Sequence, residues 1–169
     1  MHAKKTLALA LTALAASGGS VALADTIQVS DDRRGDAGCD SAPCPDLKSA
    51  IANPGIFNSA ELFYIITQHN AVQRSRVPRI AINTSGPSSS KPEYYVEKRA
   101  ARAGVFDATT GRMTGPASLG SSRSTSLTWT FLPTAIGNPA SFGWRVEVVQ
   151  RGTMIDATPN SGYRERAVR

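Results

Sequence analysis

Two stretches near the C-terminal end constrain the fold most, because their apolar residues recur at every second position. In residues 126–132 the apolar set includes Trp129, and threonines stand between its members. Residues 142–148 repeat the pattern around Trp144, with charged residues in between. A strand places successive side chains on opposite faces, so both stretches are predicted to be strands with one buried face. Both tryptophans are therefore expected in the core.

The rest of the chain reads as short apolar or alternating runs separated by Gly, Pro, Asn and Ser, as in all-β domains. The candidate strands are 26–30, 47–52, 61–68, 78–83, 93–98, 101–107 and 111–115. Residues 115–120 (GPASLG) are interpreted as a loop, and Pro139 limits 133–138 to one helical turn. We therefore expect an all-β fold, a single antiparallel β-sandwich of jelly-roll or immunoglobulin-like type, with at most one short helical turn.

The first residues have the order of a secretory signal peptide. Lys4 and Lys5 precede an apolar core over 6–16, and a small-x-small site ends at Ala24. The apolar core is shorter than the roughly 20 residues of a membrane span, and no later segment is apolar for long enough. We predict cleavage after about Ala24, secretion, and a single domain over 25–169 with a polar tail, open to fraying, from about residue 160.

The charge of the chain is mildly basic. Loss of Lys4 and Lys5 with the signal peptide would lower the formal net charge from +6 to +4. The remaining basic residues are scattered along the sequence, whereas binding to a phosphate backbone usually requires a patch or a stripe. Nucleic acid is therefore not an expected partner.

Cys39 and Cys44 enclose a four-residue loop. In an oxidising compartment such a pair normally closes into a disulfide, which is the state we expect. A redox site more often has two intervening residues, and a zinc site would need further His or Cys ligands that this chain lacks.

Aspartates are concentrated near the start of the mature chain. Asp32, Asp36 and Asp46 offer the oxygen ligands that calcium requires, and Asp156 would join them if the two ends of the domain meet. The alternative is a solvated segment in which Asp and Gly form turns. Calcium at these four residues is the one cofactor that the sequence suggests.

Three tyrosines are candidate ligand contacts. Tyr94 and Tyr95 are adjacent, so that on a strand one of them must face outward, and Tyr163 lies among arginines in the polar tail. An exposed Tyr beside Arg suits stacking on sugars or binding of acidic groups. The alternative is one Tyr in the core and a frayed tail.

No catalytic residues are predicted. His69 is the one histidine after the predicted signal peptide, and it follows a predicted strand with no nucleophile assigned beside it. A surface or loop position is the better interpretation of His69. Paired carboxylates for glycoside cleavage would have to meet in space, and nothing in the sequence selects a pair.

Short motifs of the mature chain are similar to those of secreted bacterial β-sandwich accessory domains, in the DOMON-like and family-nine carbohydrate-binding-module-like group. They are Asp32-x-x-Gly35-Asp36, Asp46-Leu47, the strand 62–67, Phe131-Leu132-Pro133 with Ile136-Gly137, and Asp156-x-x-Pro159. The resemblance implies a jelly-roll-like sandwich with a binding role. Sugar-binding members often hold ligand between exposed aromatics, whereas Trp129 and Trp144 are expected inside. Haem-binding members use a Met and His pair that has no match here.

Three functions follow in order of preference. The first is a secreted, non-catalytic β-sandwich that binds an extracellular polysaccharide or cell-envelope component. The second is a structural or protein-interaction domain with no small-molecule ligand, which would meet its partner at an exposed sheet edge. The third is a secreted hydrolase.

Overall fold

A computed structural model describes residues 28–32, 37–38, 46–54, 61–67, 77–86, 91–123 and 125–168. Its strands are β1 (Gln28–Asp31), β2 (Leu47–Pro54), β3 (Glu61–Thr67), β4 (Arg79–Asn83), β5 (Tyr94–Arg99), β6 (Arg102–Asp107), β7 (Met113–Arg123), β8 (Ser126–Phe131), β9 (Ser141–Gln150), β10 (Thr153–Thr158) and β11 (Arg164–Ala167). A single 3₁₀ turn, Pro133–Ile136, is the only helical element in these ranges. The fold is therefore mostly antiparallel β-sheet, as predicted. The predicted signal peptide, the Cys39 and Cys44 pair, Asp36 and His69 lie outside the described residues.

The strands form one antiparallel sheet in the order β1-β2-β3-β8-β7-β6-β5-β4-β9-β10, and β11 also pairs with β9. Strand β7 takes part in two ladders, with β6 through its first residues and with β8 through its later ones. We call β1, β2, β3 and β8 the first half-sheet, and β6, β5, β4, β9, β10 and β11 the second half-sheet.

The sheet curls until its two ends meet. The Gly38 backbone N–H donates to the Ile155 carbonyl oxygen at 2.7 Å, and the hydroxyls of Ser30 and Thr158 are 3.0 Å apart. These contacts join β1, and the chain that follows it, to β10. Most of the inward-facing residues belong to one hydrophobic cluster, to which both half-sheets contribute.

Trp129 and Trp144 are both fully buried, which confirms their predicted core positions. Trp129 belongs to β8 in the first half-sheet, and its indole N–H donates to the Pro78 carbonyl oxygen at 2.8 Å, next to β4 in the second. The rings of Phe131 and Phe142, one from each half-sheet, have centroids 6.3 Å apart. Large side chains from the two halves thus share one interior, where their burial supplies most of the stabilisation.

Strand β7 is longer than the predicted strand at 111–115, and it includes residues 115–120, for which the sequence predicts a loop. Gly115 explains part of the difference, because a Cβ there would lie 2.5 Å from the Ala135 Cβ. The small residue lets the strand approach the 3₁₀ turn closely. Turn-like composition here reflects tight packing rather than a loop.

The polar tail predicted from residue 160 is also different in the structure. Residues 164–167 form β11 on β9, and Arg166 is fully buried. Strand β10 was not predicted, and it pairs with the later residues of β9. Among the described residues, no helix is long and apolar enough to cross a bilayer.

Candidate functional site

The outward face of the second half-sheet carries an unusual set of charged and aromatic side chains. In β4, β5 and β9 the even-numbered residues point to the core, so the odd-numbered ones share the other face. The outer-face cluster, as we define it, consists of Arg79, Tyr95, Glu97, Arg145, Glu147 and Tyr163. Every member except Tyr163 is on one of these three strands.

Glu147 is the centre of this cluster. Register places it opposite Arg79, and Arg145 is two residues away on the same face of β9. Arg79 donates to Glu147 Oε2 from Nε at 2.9 Å and from Nη2 at 2.8 Å, while Arg145 donates to Oε1 from both Nε and Nη2. The Glu147 side chain is only 3% exposed. A carboxylate so buried needs the charge-assisted hydrogen bonds that its two guanidinium partners donate.

Arg79 connects Glu147 to β5. Its Nη1 lies 3.6 Å from Glu97 Oε2, and its guanidinium carbon is 3.7 Å from the centroid of the Tyr95 ring. The guanidinium therefore pairs with two carboxylates and stacks on an aromatic ring at the same time. A Lys ammonium group is not planar and could not match this arrangement.

Arg99 extends this arrangement toward β6. It donates to Glu97 Oε1 at 2.7 Å and to the Gly111 carbonyl oxygen at 2.7 Å, and it lies over the Phe106 ring at 4.1 Å. Its side chain is 42% exposed. Glu97 is thus held between two arginines, as Glu147 is.

Tyr163 reaches the cluster from outside the ladder. Strand β10 ends with Thr158 opposite Val146, and β11 begins with Arg164 opposite Trp144, so residues 159–163 leave the sheet opposite Arg145. The Arg145 guanidinium carbon is 5.1 Å from the Tyr163 ring centroid. A Cβ on Gly143 would be 2.9 Å from the Tyr163 Cβ, so the absence of a side chain at Gly143 allows Tyr163 to pack against the sheet.

Burial raises the pKa of both Tyr95 and Tyr163 above the usual tyrosine value, and the neighbouring arginine of each opposes the shift. The charge on Tyr95 also influences Tyr163, so the two phenols belong to one electrostatic environment. The Tyr163 hydroxyl is buried and has no hydrogen-bond partner among the described residues.

The predicted tyrosines therefore divide between two faces. Tyr95 and Tyr163 belong to the outer-face cluster, whereas Tyr94 packs against the hydrophobic core. Sequence reasoning noted that Arg145 and Glu147 face away from the core but gave them no role. Their alternation with buried valines was the signal that they face outward. The ion pair with Arg79 could not be predicted without the strand register.

The predicted calcium ligands are only partly brought together. Asp156 Oδ2 accepts the Leu47 N–H at 2.7 Å, so Asp156 adjoins the residue that follows Asp46, and its Oδ1 accepts the Ala157 N–H at 2.8 Å. Asp46 and Asp156 are buried, Asp32 is partly buried, and Asp36 is outside the described residues. Asp156 thus fastens the start of β2 to β10.

Within the described ranges, no group of three or more His, Cys, Asp or Glu residues could hold a metal ion. Calcium at Asp32, Asp36, Asp46 and Asp156 stays a prediction. The Cys39–Cys44 disulfide also stays one, because both residues are outside those ranges.

The outer-face cluster offers aromatic surface, guanidinium donors and carboxylate acceptors on one side of a rigid sheet. Such a set suits recognition of a polar, ring-containing ligand more than bond cleavage, since its carboxylates are engaged by arginines. No protein-family profile, curated protein or solved structure matches the chain. The resemblance to DOMON-like and carbohydrate-binding domains therefore remains an expectation.

Proposed function

We propose that this chain is exported and that its mature domain is a non-catalytic β-sandwich that binds an extracellular ligand, a polysaccharide or a cell-envelope component, through the outer-face cluster. The observation that carries this proposal is the meeting of Tyr95 and Tyr163 beside Arg79 and Arg145. These side chains come from β4, β5, β9 and the segment before β11. Positions so far apart in sequence converge on one face of the sheet.

The sandwich is proposed from the contacts between the two half-sheets. Phe131 against Phe142, and the Trp129 indole on the Pro78 carbonyl oxygen, favour two layers packed face to face. Strand β7 would then pass from one layer to the other, since it pairs with β6 and with β8. The two layers would support a flat outer face that keeps its shape when ligand binds.

The chemistry of the cluster suits sugars. Tyrosine rings can pack against the apolar faces of sugar rings, while guanidinium groups donate to hydroxyl or carboxylate oxygens. Tyr95 and Tyr163 are partly exposed, and so are Arg79 and Arg145. Each can therefore take part in binding without the sheet being opened.

The test is retention of the full chain on insoluble polysaccharides and on isolated cell wall, followed by release with soluble sugar. Tyr163→Ala should weaken retention about two- to tenfold, because it removes one aromatic contact from a segment outside the ladder. Met154→Ala is the matched control, since Met154 is an exposed residue of β10. Equal retention of the two variants, or no retention of the unchanged chain on any polymer, would contradict the proposal.

A structural or protein-interaction domain is the second candidate. Glu97 and Glu147 are each held by two arginines of the same chain, so the cluster could stabilise the sheet without any ligand. An exposed sheet edge as the meeting point is less favoured, since β1 and β10 are hydrogen-bonded to each other. This candidate expects no retention on polymers, and unchanged stability when sugars are added.

A further inference from the structure

Basic and acidic side chains differ in exposure on this molecule. Among residues whose side chains are described, eight basic residues are exposed, namely Lys48, Lys91, Lys98, Arg99, Arg102, Arg112, Arg151 and Arg164. In the same set only two acidic residues are exposed, Asp31 and Glu165. The remaining carboxylates are partly or fully buried, as Glu147 is in the cluster and Asp156 is at the Leu47 N–H. The described surface is therefore more cationic than the composition suggests.

Four of the exposed cations lie at one end of the second half-sheet. Lys98, Arg99 and Arg102 surround the turn between β5 and β6, and Arg151 is in the turn between β9 and β10. Strands β5 and β9 both run antiparallel to β4, so they end on the same side of the sheet. Three strand spacings separate the two turns, which is about 14 Å. We call these four residues the basic end.

The basic end adjoins the outer-face cluster. Arg99 is the last residue of β5, next to the β5–β6 turn, and its guanidinium contacts Glu97, which also contacts Arg79. A linear ligand that lies across the cluster along β5 or β9 would therefore reach Arg99 and Arg102, which are on the same face as the cluster. Lys98 is an even-numbered residue of β5 on the opposite face, so the ligand would meet it at the end of the sheet. No acidic residue occurs in either turn of the basic end to neutralise Lys98, Arg102 or Arg151.

We propose that the ligand is a polyanionic polysaccharide whose acidic groups pair with Lys98, Arg102 and Arg151. This inference rests on the proposed function and names the class of polymer. Exposed ion pairs are individually weak and are screened over about 8 Å at physiological salt. Cations spread over about 14 Å therefore select a chain with repeated negative charges over a single small anion, because several weak contacts must act together.

The experiment measures binding of the full chain to polygalacturonate and to the same polymer with its carboxylates methyl-esterified. The test variant is K98Q/R102Q/R151Q. The control is K91Q/R112Q/R164Q, which removes the same charge from exposed positions toward the opposite end of the half-sheet. Circular dichroism verifies that both variants are folded.

Neutralising Lys98, Arg102 or Arg151 singly should weaken binding about two- to fivefold, and the triple variant at least about eightfold. The control variant should lose less than about twofold. Esterified polymer should bind the unchanged chain as weakly as polygalacturonate binds the test variant, and high salt should remove the difference between the variants.

Several results would overturn the inference, and they are separable from failure of the proposed function. Equal losses in the two triple variants would mean that net charge acts rather than the basic end. Equal binding of esterified polymer, or tighter binding of a short DNA duplex, would reject a polyanionic polysaccharide. If Tyr163→Ala lowers retention while the test variant does not, the proposed function stands and this inference falls. If the reverse holds, the polyanion site stands without the cluster.

Discussion

Strand β4 is buried on both faces, by apolar side chains on the inner face and by charged and aromatic ones on the outer face. Inside, Ile80 and Ile82 are fully buried in the hydrophobic cluster. Outside, Ala81 is equally buried, and register places it between Tyr95 and Arg145. The same strand thus has two different kinds of packing against it.

The two faces differ in what their packing requires. Apolar burial is non-directional and tolerates small shifts, whereas each charge on the outer face needs a partner in a defined position. A face of the second kind contributes less net stability for the surface it buries, but it displays oriented donors and aromatic rings. Because of this difference, we assign stability to the inner face and propose recognition for the outer one.

The largest expected effect is on the inner face. Trp144→Ala removes a fully buried indole and should lower the free energy of unfolding by about 3–5 kcal/mol, because the cavity cannot collapse completely. Urea unfolding followed by circular dichroism measures the loss. Leu132→Ala, an exposed apolar truncation, is the control and should cost no more than about 0.5 kcal/mol. Similar losses of unfolding free energy in the two variants would contradict the placement of Trp144 in the core.

A smaller loss is expected on the outer face. Glu147→Gln leaves the guanidinium groups of Arg79 and Arg145 without their shared carboxylate and should lower the free energy of unfolding by about 3 kcal/mol. Glu165→Gln, an exposed carboxylate of β11, is the control, with a change within about 0.5 kcal/mol. A Glu147→Gln loss larger than that of Trp144→Ala would reverse the comparison between the faces. No loss would mean that the cluster is not a structural network.

Sequence reasoning predicted the inner face better than the outer one. Strands β8 and β9 were found from alternation alone, since each places a tryptophan among apolar residues at every second position. The alternation of side chains along a strand also showed that Tyr94 and Tyr95 must face opposite ways. Alternation could not predict the charged neighbours of Tyr95. Arg79 and Glu147 are 68 residues apart in sequence and meet only through the pairing of β4 with β9.

Strands β10 and β11 could not be predicted from the sequence, for a physical reason. Strand β10 has a bulge between Met154 and Asp156 that interrupts its alternation, and Asp156 is buried because its oxygens accept backbone N–H groups. Strand β11 buries Arg166, a residue that ordinarily signals the surface. Both strands form where β9 offers an edge to pair with, so that tertiary pairing overrides local composition.

The smallest effect concerns ionisation on the outer face. Burial raises the pKa of Tyr95 and Tyr163, so the folded state favours the protonated phenols. Their contribution to stability is complete below the unfolded pKa of about 10 and is lost as pH rises through the higher folded value. The melting temperature of the unchanged chain should therefore fall more steeply above about pH 10 than that of Tyr95→Phe/Tyr163→Phe, which has no phenol to ionise at either position. Parallel melting curves for the two chains across this range would show that the outer face is as solvated as an ordinary surface, and would contradict the burial of its two phenols.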